Sequence, residues 1–231
     1  MNIPFAEETG CIVEEILRAT AETLILHCRP DTPRRFAAGQ YALLHAPGME
    51  APRAYSLAGA EDDPLLSFHI KLMAGSPTTQ AFAALRPGDR ITADLPHGQS
   101  RLDKHAATPI AAIAGGVGIA PIHAVIRTAR AARPERPVHL YWGCNRREEL
   151  YLHEDYMRMA EAPHFRYTPV LLQPQESFAA GLVGENIDWE KLKSAAPDIF
   201  LAGPQNMMRH TLSLFKAHGI APEKIHYDKF W

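Results

Sequence analysis

"AIAGGVGIAPIHAVI", Ala112 to Ile126, is the stretch on which the reading of the fold turns. It begins small and apolar, passes through Gly115, Gly116 and Gly118, and continues after Pro121 with apolar residues at helical spacing. A buried strand entering a helix through a side-chain-free turn opens a βαβ unit, in which backbone N–H groups and the helix N-terminus face an incoming anion. The pattern departs from the GxGxxG dinucleotide fingerprint. Pro121 replaces the third glycine and suits the first turn of a helix instead. Alone, the turn reads equally as a phosphate cradle or as tight packing.

Downstream the same rhythm continues. "PVHLYWG", "FRYTPVLL", "DIFLAG" and "KIHYDKFW" read as strands, and "EELYLHEDYMRMAEA" and "QNMMRHTLSLFKAHG" as helices between them. Strands alternating with helices predict a parallel sheet covered on both faces. "LAGPQNMM", Leu201 to Met208, is a second strand-to-helix turn, and it places Gly203, Pro204 and Met207 opposite the glycines. In an open parallel sheet, ligands bind beyond the carboxyl ends of the strands, so the two turns form the lips of one crevice. A third turn, "YWGCNRREELYL", carries Arg146 and Arg147. Either they pair with a 2′-phosphate or they are a solvated charge run. Glu148 and Glu149 suit a helix N-terminus.

Upstream the pattern is different. "CIVEEILRAT", "TLILHCRP", "GQYALLHAPG", "RAYSLAG", "LLSFHIKLM" and "RITADLPHG" are six short strands separated by Pro, Gly and Asp clusters, which favours an antiparallel barrel or sandwich. One helix is expected, over Thr78 to Leu85. The change of rhythm near Asp103 to Thr108 divides the chain into 1–105 and 106–231.

Composition narrows the function. The 231 residues are 46% hydrophobic and 22% charged with a formal net charge of −2, so no polybasic surface calls for nucleic acid or anionic lipid. Cys11, Cys28 and Cys144 lack metal-ligand spacing and fit a reducing, cytoplasmic setting. No histidine falls in an HExxH pattern, and "LHEDY" reads as the polar side of a helix, so no metal is expected. The start has no secretory pattern. Pro109 to Ile126 is uncharged over the length of a membrane span, yet its prolines, glycines and histidine read as strand, turn and helix.

Taken together and in this order, "RAYS", "GGVGIAP", "YWGCNRREELY", "LAGP" and the aromatic C-terminus resemble the ferredoxin–NADP+ reductase superfamily along nearly the whole chain. The resemblance implies a six-stranded antiparallel flavin-binding β-barrel followed by an NAD(P)-binding α/β domain, with hydride passing between them from NADH or NADPH to FAD, or to FMN. Arg53 matches the arginine at the flavin phosphate, Tyr55 the aromatic on one ring face, and Ser56 the hydroxyl near flavin N5. Tyr55 and Ser56 are thus the expected catalytic residues. His69, Lys71 and Gly75 lie where the next strand and loop meet the flavin phosphates and adenine. Thr78 or Thr79 follows as the expected hydroxyl, and Phe230 or Trp231 either shields the ring until nicotinamide displaces it or is a packed terminal aromatic. Gly115, Gly116, Gly118 and Pro121 match the nicotinamide-nucleotide pyrophosphate turn.

This sequence departs from the family in having Ala202, where many relatives carry cysteine, and in ending "DKFW", with Asp228 in place of glutamate. Three scattered cysteines exclude a fused iron–sulfur domain within this sequence. The expected acceptor is therefore a separate carrier protein, such as a ferredoxin or oxygenase component, or free flavin as substrate. A reading of another class is a non-catalytic nucleotide-sensing or electron-relay subunit.

Overall fold

In the computed structural model, which describes residues 5–229, the first half of the chain forms one six-stranded antiparallel sheet. Its strands are β1 (Glu7–Thr20), β2 (Thr23–Pro30), β3 (Tyr41–His45), β4 (Arg53–Ser56), β5 (Leu66–Lys71) and β6 (Arg90–His97), ordered β4-β3-β6-β1-β2-β5. The two edge strands approach each other. Leu57 bridges Phe68, and the Ala58 N–H donates to the Ser67 carbonyl at 2.8 Å, so the sheet curls into a nearly closed barrel. Alternate residues point inward: Cys11, Val13, Leu26, Cys28, Leu44, Phe68, Ile70 and Ile91 share the barrel core.

Strand β5 deviates from simple alternation in an informative way. Leu66, Phe68 and Ile70 face the core, yet Ser67 and His69 on the other face are also buried. The second half of the chain covers that face. The expected helix is α1 (Pro77–Ala84), capped by Ser76, whose hydroxyl accepts from the Thr79 N–H at 3.4 Å.

The second half is a parallel sheet of β7 (Ile110–Gly115), β8 (Val138–Cys144), β9 (Phe165–Leu171), β10 (Ala179–Ala180), β11 (Asp198–Ala202) and β12 (Ile225–His226), ordered β10-β9-β8-β7-β11-β12. Helices α2 (Ile119–Ala132), α3 (His153–Met159), α4 (Trp189–Ala195) and α5 (Gln205–Ala217) connect these strands. The strand order reverses between β7 and β11, which is where an open α/β sheet leaves a crevice. The uncharged run Pro109 to Ile126 is indeed β7, the glycine turn and the start of α2. No helix among the described residues is long and apolar enough to cross a membrane.

Two elements are shorter than the sequence pattern predicts. "EELYLHEDYMRMAEA" is a 3-10 turn, Arg147–Glu149, then α3 from His153. Leu150 and Tyr151 are drawn into the interior and interrupt the helix. The last strand is only Ile225–His226. Between the sheets, fully buried Arg136 holds the connecting segment. It donates to the carbonyls of Thr108 (2.6 Å) and Asp103 (2.8 Å) and pairs with Asp198 at 3.4 Å, so its charge is compensated on all sides.

Candidate functional site

The carboxyl ends of β7 and β11 face β4, β5 and α1 of the barrel across a cavity of about 620 Å³. Arg53, Tyr55, Ser56, His69, Lys71, Thr78 and Thr79 line it from the barrel, and Gly115, Gly118, Pro121, Gly203 and Pro204 from the parallel sheet. Residues some 150 positions apart in sequence therefore share one cleft. Ala54, Met73, Ser76, Val117, Ala120 and Ala202 complete the wall; their apolar or small side chains carry no sequence signal of a site.

On the barrel side the polar groups are available. Arg53 is exposed, and its side chain bonds only the Pro52 carbonyl at 3.4 Å, with no carboxylate partner. The Tyr55 ring packs edge-on against Phe82, with centroids 5.1 Å apart, and partial burial raises the pKa of its phenol. Thus it stays an uncharged aromatic surface. Among the described residues, the Ser56 hydroxyl has no protein partner. The Thr78/Thr79 alternative separates physically. Thr79 is buried, and its hydroxyl accepts from the Met73 N–H and donates to the Met73 carbonyl, both at 3.1 Å. Its hydrogen-bonding capacity is spent on the loop, whereas Thr78 is less buried. Gly75 does not line the cleft; its φ of +75° makes the turn that precedes α1.

On the other side, the glycine turn is a 3-10 segment, Gly116–Gly118, in which Gly116 has φ +51°. Neither α2 nor α5 has a side-chain cap; at α2 the 3-10 turn takes up the Ile119 N–H and Pro121 has none, so the N–H groups that remain to meet an anion are those of the glycine turn and of the first turn of α5. Met207 fills the space beside Gly115 and Gly203. A smaller cavity of about 90 Å³ continues from the cleft past Lys71 and Val117 to Gly116, Arg146, Glu149 and Tyr151. Arg146 is paired there with Glu149 at 3.5 Å. Arg147 lines neither space and stands over the Phe178 ring, 6.0 Å from its centroid.

Behind the cleft, three imidazoles meet three phenols. His69 Nδ1 lies 2.9 Å from the Tyr151 hydroxyl, His123 Nδ1 2.8 Å from that of Tyr156, and His153 Nδ1 3.3 Å from that of Tyr167. The first pair joins the barrel to the parallel-sheet half. Trp142 packs edge-on against Tyr151 and donates from Nε1 to the Gly116 carbonyl at 3.0 Å, so the chain of contacts ends on the glycine turn. His153, expected on the polar side of a helix, instead packs between the Tyr167 and Phe178 rings, with centroids 5.6 and 5.3 Å away. His69 lines the cleft as a neutral group and not as a cation.

Burial, with His123 and His27 nearby, lowers the pKa of His69 to about 3, and burial with Arg127 nearby, opposed by Asp63, lowers that of His123 to about 4. The unfolded chain takes up these protons as pH falls through 6.5, but the folded chain does not. Their stabilisation is complete above pH 6.5 and is lost as pH falls towards about 4 for His123 and about 3 for His69, at about 1.4 kcal/mol per pH unit for each group. We expect Tm to fall between pH 7 and pH 5, and less steeply in His123→Asn, which keeps a hydrogen-bonding group but cannot titrate there. Equal slopes in a thermal-melt series would contradict this account.

The C-terminal segment also reaches the cleft. The Asp228 carboxylate accepts from the backbone N–H groups of Gln99 (2.7 Å) and Ser100 (3.4 Å), and burial raises its pKa. Tyr227 and Asp228 share a small cavity with Ser56 and Ala202. Phe230 and Trp231 lie outside the described residues.

No cluster of metal-ligating side chains occurs among the described residues. The three cysteines are buried thiols; burial pushes Cys11 up to about 11 and Cys144 to about 12, and raises Cys28 as well. They are poor nucleophiles at neutral pH.

A barrel and a doubly wound sheet, joined at a cleft with a cation that has no carboxylate partner, an aromatic face and two glycine turns, form a site shaped for nucleotide cofactors. Residues 112–213 match the oxidoreductase NAD-binding domain family. The reductase subunit of an aromatic O-demethylase from Amycolatopsis is 33% identical over 98% of this chain and 70% of its own length. The ferredoxin–NAD(P)(+) reductase component of the naphthalene 1,2-dioxygenase system of Pseudomonas putida is 31% identical over 89% of this chain and 64% of its own. Among solved structures, an Amycolatopsis cytochrome P450 reductase superposes with a TM-score of 0.87 at 31% identity, covering 100% of this chain and 71% of that one. The ferredoxin NADP+ reductase of Neisseria gonorrhoeae with bound FAD and NADP shares the fold, with a TM-score of 0.83, 21% identity and coverage of 98% and 100%. The chain belongs to the ferredoxin–NADP+ reductase superfamily.

Proposed function

We propose that this chain is an NAD(P)H-dependent flavoprotein reductase that takes hydride from a nicotinamide onto FAD and passes electrons to a separate acceptor protein. The observation that carries the reading is the single cleft in which Arg53, Tyr55 and Ser56 face Gly115–Gly118 and Gly203–Pro204. The fit to a flavin rests on the unpaired Arg53, the half-buried Tyr55 ring and the partnerless Ser56 hydroxyl. The fit to a dinucleotide rests on the glycine turn, on the uncapped N-terminus of α5 and on the continuation of the cleft past Lys71.

The flavin, when bound, accepts a hydride and releases electrons, and the protein's part is to orient and insulate it. In this reading Arg53 holds the phosphate, while Tyr55 covers one ring face and leaves the other to the nicotinamide. Ser56 donates near the reacting nitrogen. The glycine turns admit the pyrophosphate close to the backbone, and Lys71, loosely paired with Glu22 at 3.9 Å, stands where the two cavities meet. Arg146, already paired with Glu149, is a weak candidate for a 2′-phosphate, which favours NADH as donor. The flavin and nucleotide units are 1–105 and 106–231. Three buried, unpaired cysteines support a reducing, cytoplasmic setting. The names of the relatives, reductase components and subunits of oxygenase systems, support an oxygenase component or its ferredoxin as acceptor.

Anaerobic addition of NADH or NADPH, followed by visible absorbance after the bound flavin is identified by heat release, tests the reading. Bleaching of a yellow protein supports it. A colourless protein that turns over added FMN or FAD points to a flavin reductase, and no nicotinamide oxidation with an artificial acceptor points to a sensing or relay subunit. Ser56→Ala should keep the flavin but slow its reduction by about tenfold or more, the scale of one lost orienting contact. Unchanged single-turnover reduction would remove Ser56 from this role.

A further inference from the structure

At the opposite end of the parallel sheet, beside the amino ends of β7, β8 and β9, lies a second cavity of about 280 Å³ that shares no residue with the cleft. We propose that it is a binding site for a small aromatic carboxylate of one or two rings.

The wall provides for a ring. Ala111 and Leu192 are buried apolar side chains, and the Tyr141 and His139 rings stack with centroids 4.0 Å apart and planes 25° from parallel. Both rings are held in place. The Tyr141 hydroxyl accepts from the Asp188 N–H at 3.4 Å, and His139 Nε2 lies 2.9 Å from Thr168 Oγ1. A ligand ring gains offset or edge contact with such a pair without first having to order it.

The rim provides for the anion. Apart from Tyr141, every ionisable group in the lining is basic, His139, His164, Arg166 and Lys191, in a chain of net charge −2; the nearest carboxylate, Asp188, lies outside the lining and accepts from the Lys191 N–H at 3.1 Å. Among the described residues, Arg166 has no hydrogen bond or ion pair through its guanidinium. Its planar fork matches a carboxylate in a two-point contact. Burial, with Arg166 nearby and the Asp188 carboxylate opposing, lowers the pKa of His139 to about 4, so it presents a neutral ring instead of a second charge.

The mouth is also rigid. Pro109, Pro137, Pro163 and Pro197 line the cavity, each one or two residues before a strand, and fix the backbone dihedrals there. The volume lies at the small end of ligand pockets and suits about ten to fifteen heavy atoms. A bare phosphate would leave the apolar wall unused, and an uncharged ring would leave Arg166 without a partner.

Titration calorimetry of the flavin-loaded chain with 1-naphthoate and its uncharged analogue 1-naphthamide tests the site. We expect saturable naphthoate binding, with the amide weaker by about tenfold or more, the scale of one charge-assisted contact. Arg166→Gln should lose the same factor. Ala195→Trp, an exposed substitution in the last turn of α4, should fill the mouth and abolish binding. NAD(P)H oxidation should stay unchanged in both variants, since neither residue touches the cleft. Equal affinity for acid and amide, binding that survives Ala195→Trp, or no saturation up to about 10 mM, the range of very weak complexes, would each overturn the proposal.

Discussion

Gly118→Ala is expected to raise KM for NAD(P)H by about tenfold or more and to lower Tm by roughly 5 °C, from an overpacking cost of about 1–3 kcal/mol. The backbone conformation of Gly118 is ordinary, with φ −61°, so space alone decides the effect. A methyl group there would stand 2.5 Å from the Ala202 carbonyl oxygen and 2.6 Å from Gly203 Cα. Both are backbone atoms at the end of β11, and β11 is bonded to β7 along its whole length. The only relief is to part the two lips of the crevice, which disturbs the anion-binding turn directly. Gly115→Ala is the control. Its methyl group would meet chiefly the flexible Met207 side chain, with Pro204 Cδ at 3.0 Å. It should therefore cost less in both Tm and KM. A Gly118→Ala protein that matched the wild type in both would show that the lips do not need their close approach.

Arg53→Ala is expected to weaken flavin binding by about 10- to 150-fold, the equivalent of losing a charge-assisted contact of about 1.5–3 kcal/mol. The prediction separates binding from folding. Arg53 is exposed on β4 and makes only the 3.4 Å bond to Pro52, so the flavin-free Tm should not change. Arg53→Lys should recover part of the affinity, because an ammonium keeps the charge but not the planar, two-point contact. Flavin content after gel filtration and a fluorescence titration measure both variants. An Arg53→Ala protein isolated fully loaded would place the phosphate elsewhere.

The two effects differ in kind. At Gly118 a substitution alters the shape of the site, whereas at Arg53 it removes a partner from a site whose shape persists. Ser56 is a third case, where neither shape nor affinity is expected to change but orientation is.

The legible parts of the site were those in which the backbone itself is the ligand. A glycine turn between an apolar strand and a helix serves equally for tight packing, but two such turns in a parallel sheet face one crevice by topology, and the pair decides for a cradle. The side-chain assignments were less legible. Thr78 and Thr79 are indistinguishable in sequence, and only the loop at Met73 consumes one hydroxyl. Arg146 and Arg147 are adjacent, yet one is paired with Glu149 beside the cleft and the other stands over Phe178. His69 reads as a polar residue on an alternating strand, but it is buried against Tyr151 from the other half of the chain. That partner lies 82 positions away, and no local pattern announces it.

The sequence by itself determined the two architectures and their order, because hydrophobic periodicity and turn residues act over a few positions and bury the same faces wherever the element lies. It also placed both glycine turns and the "RAYS" strand. Only the tertiary structure decided that these segments meet in one cleft, that Gly118 lies against the Ala202 and Gly203 backbone, and that His69 is neutral. Those outcomes depend on contacts between distant segments. Their burial, charge and available space are set by the neighbour that folding supplies.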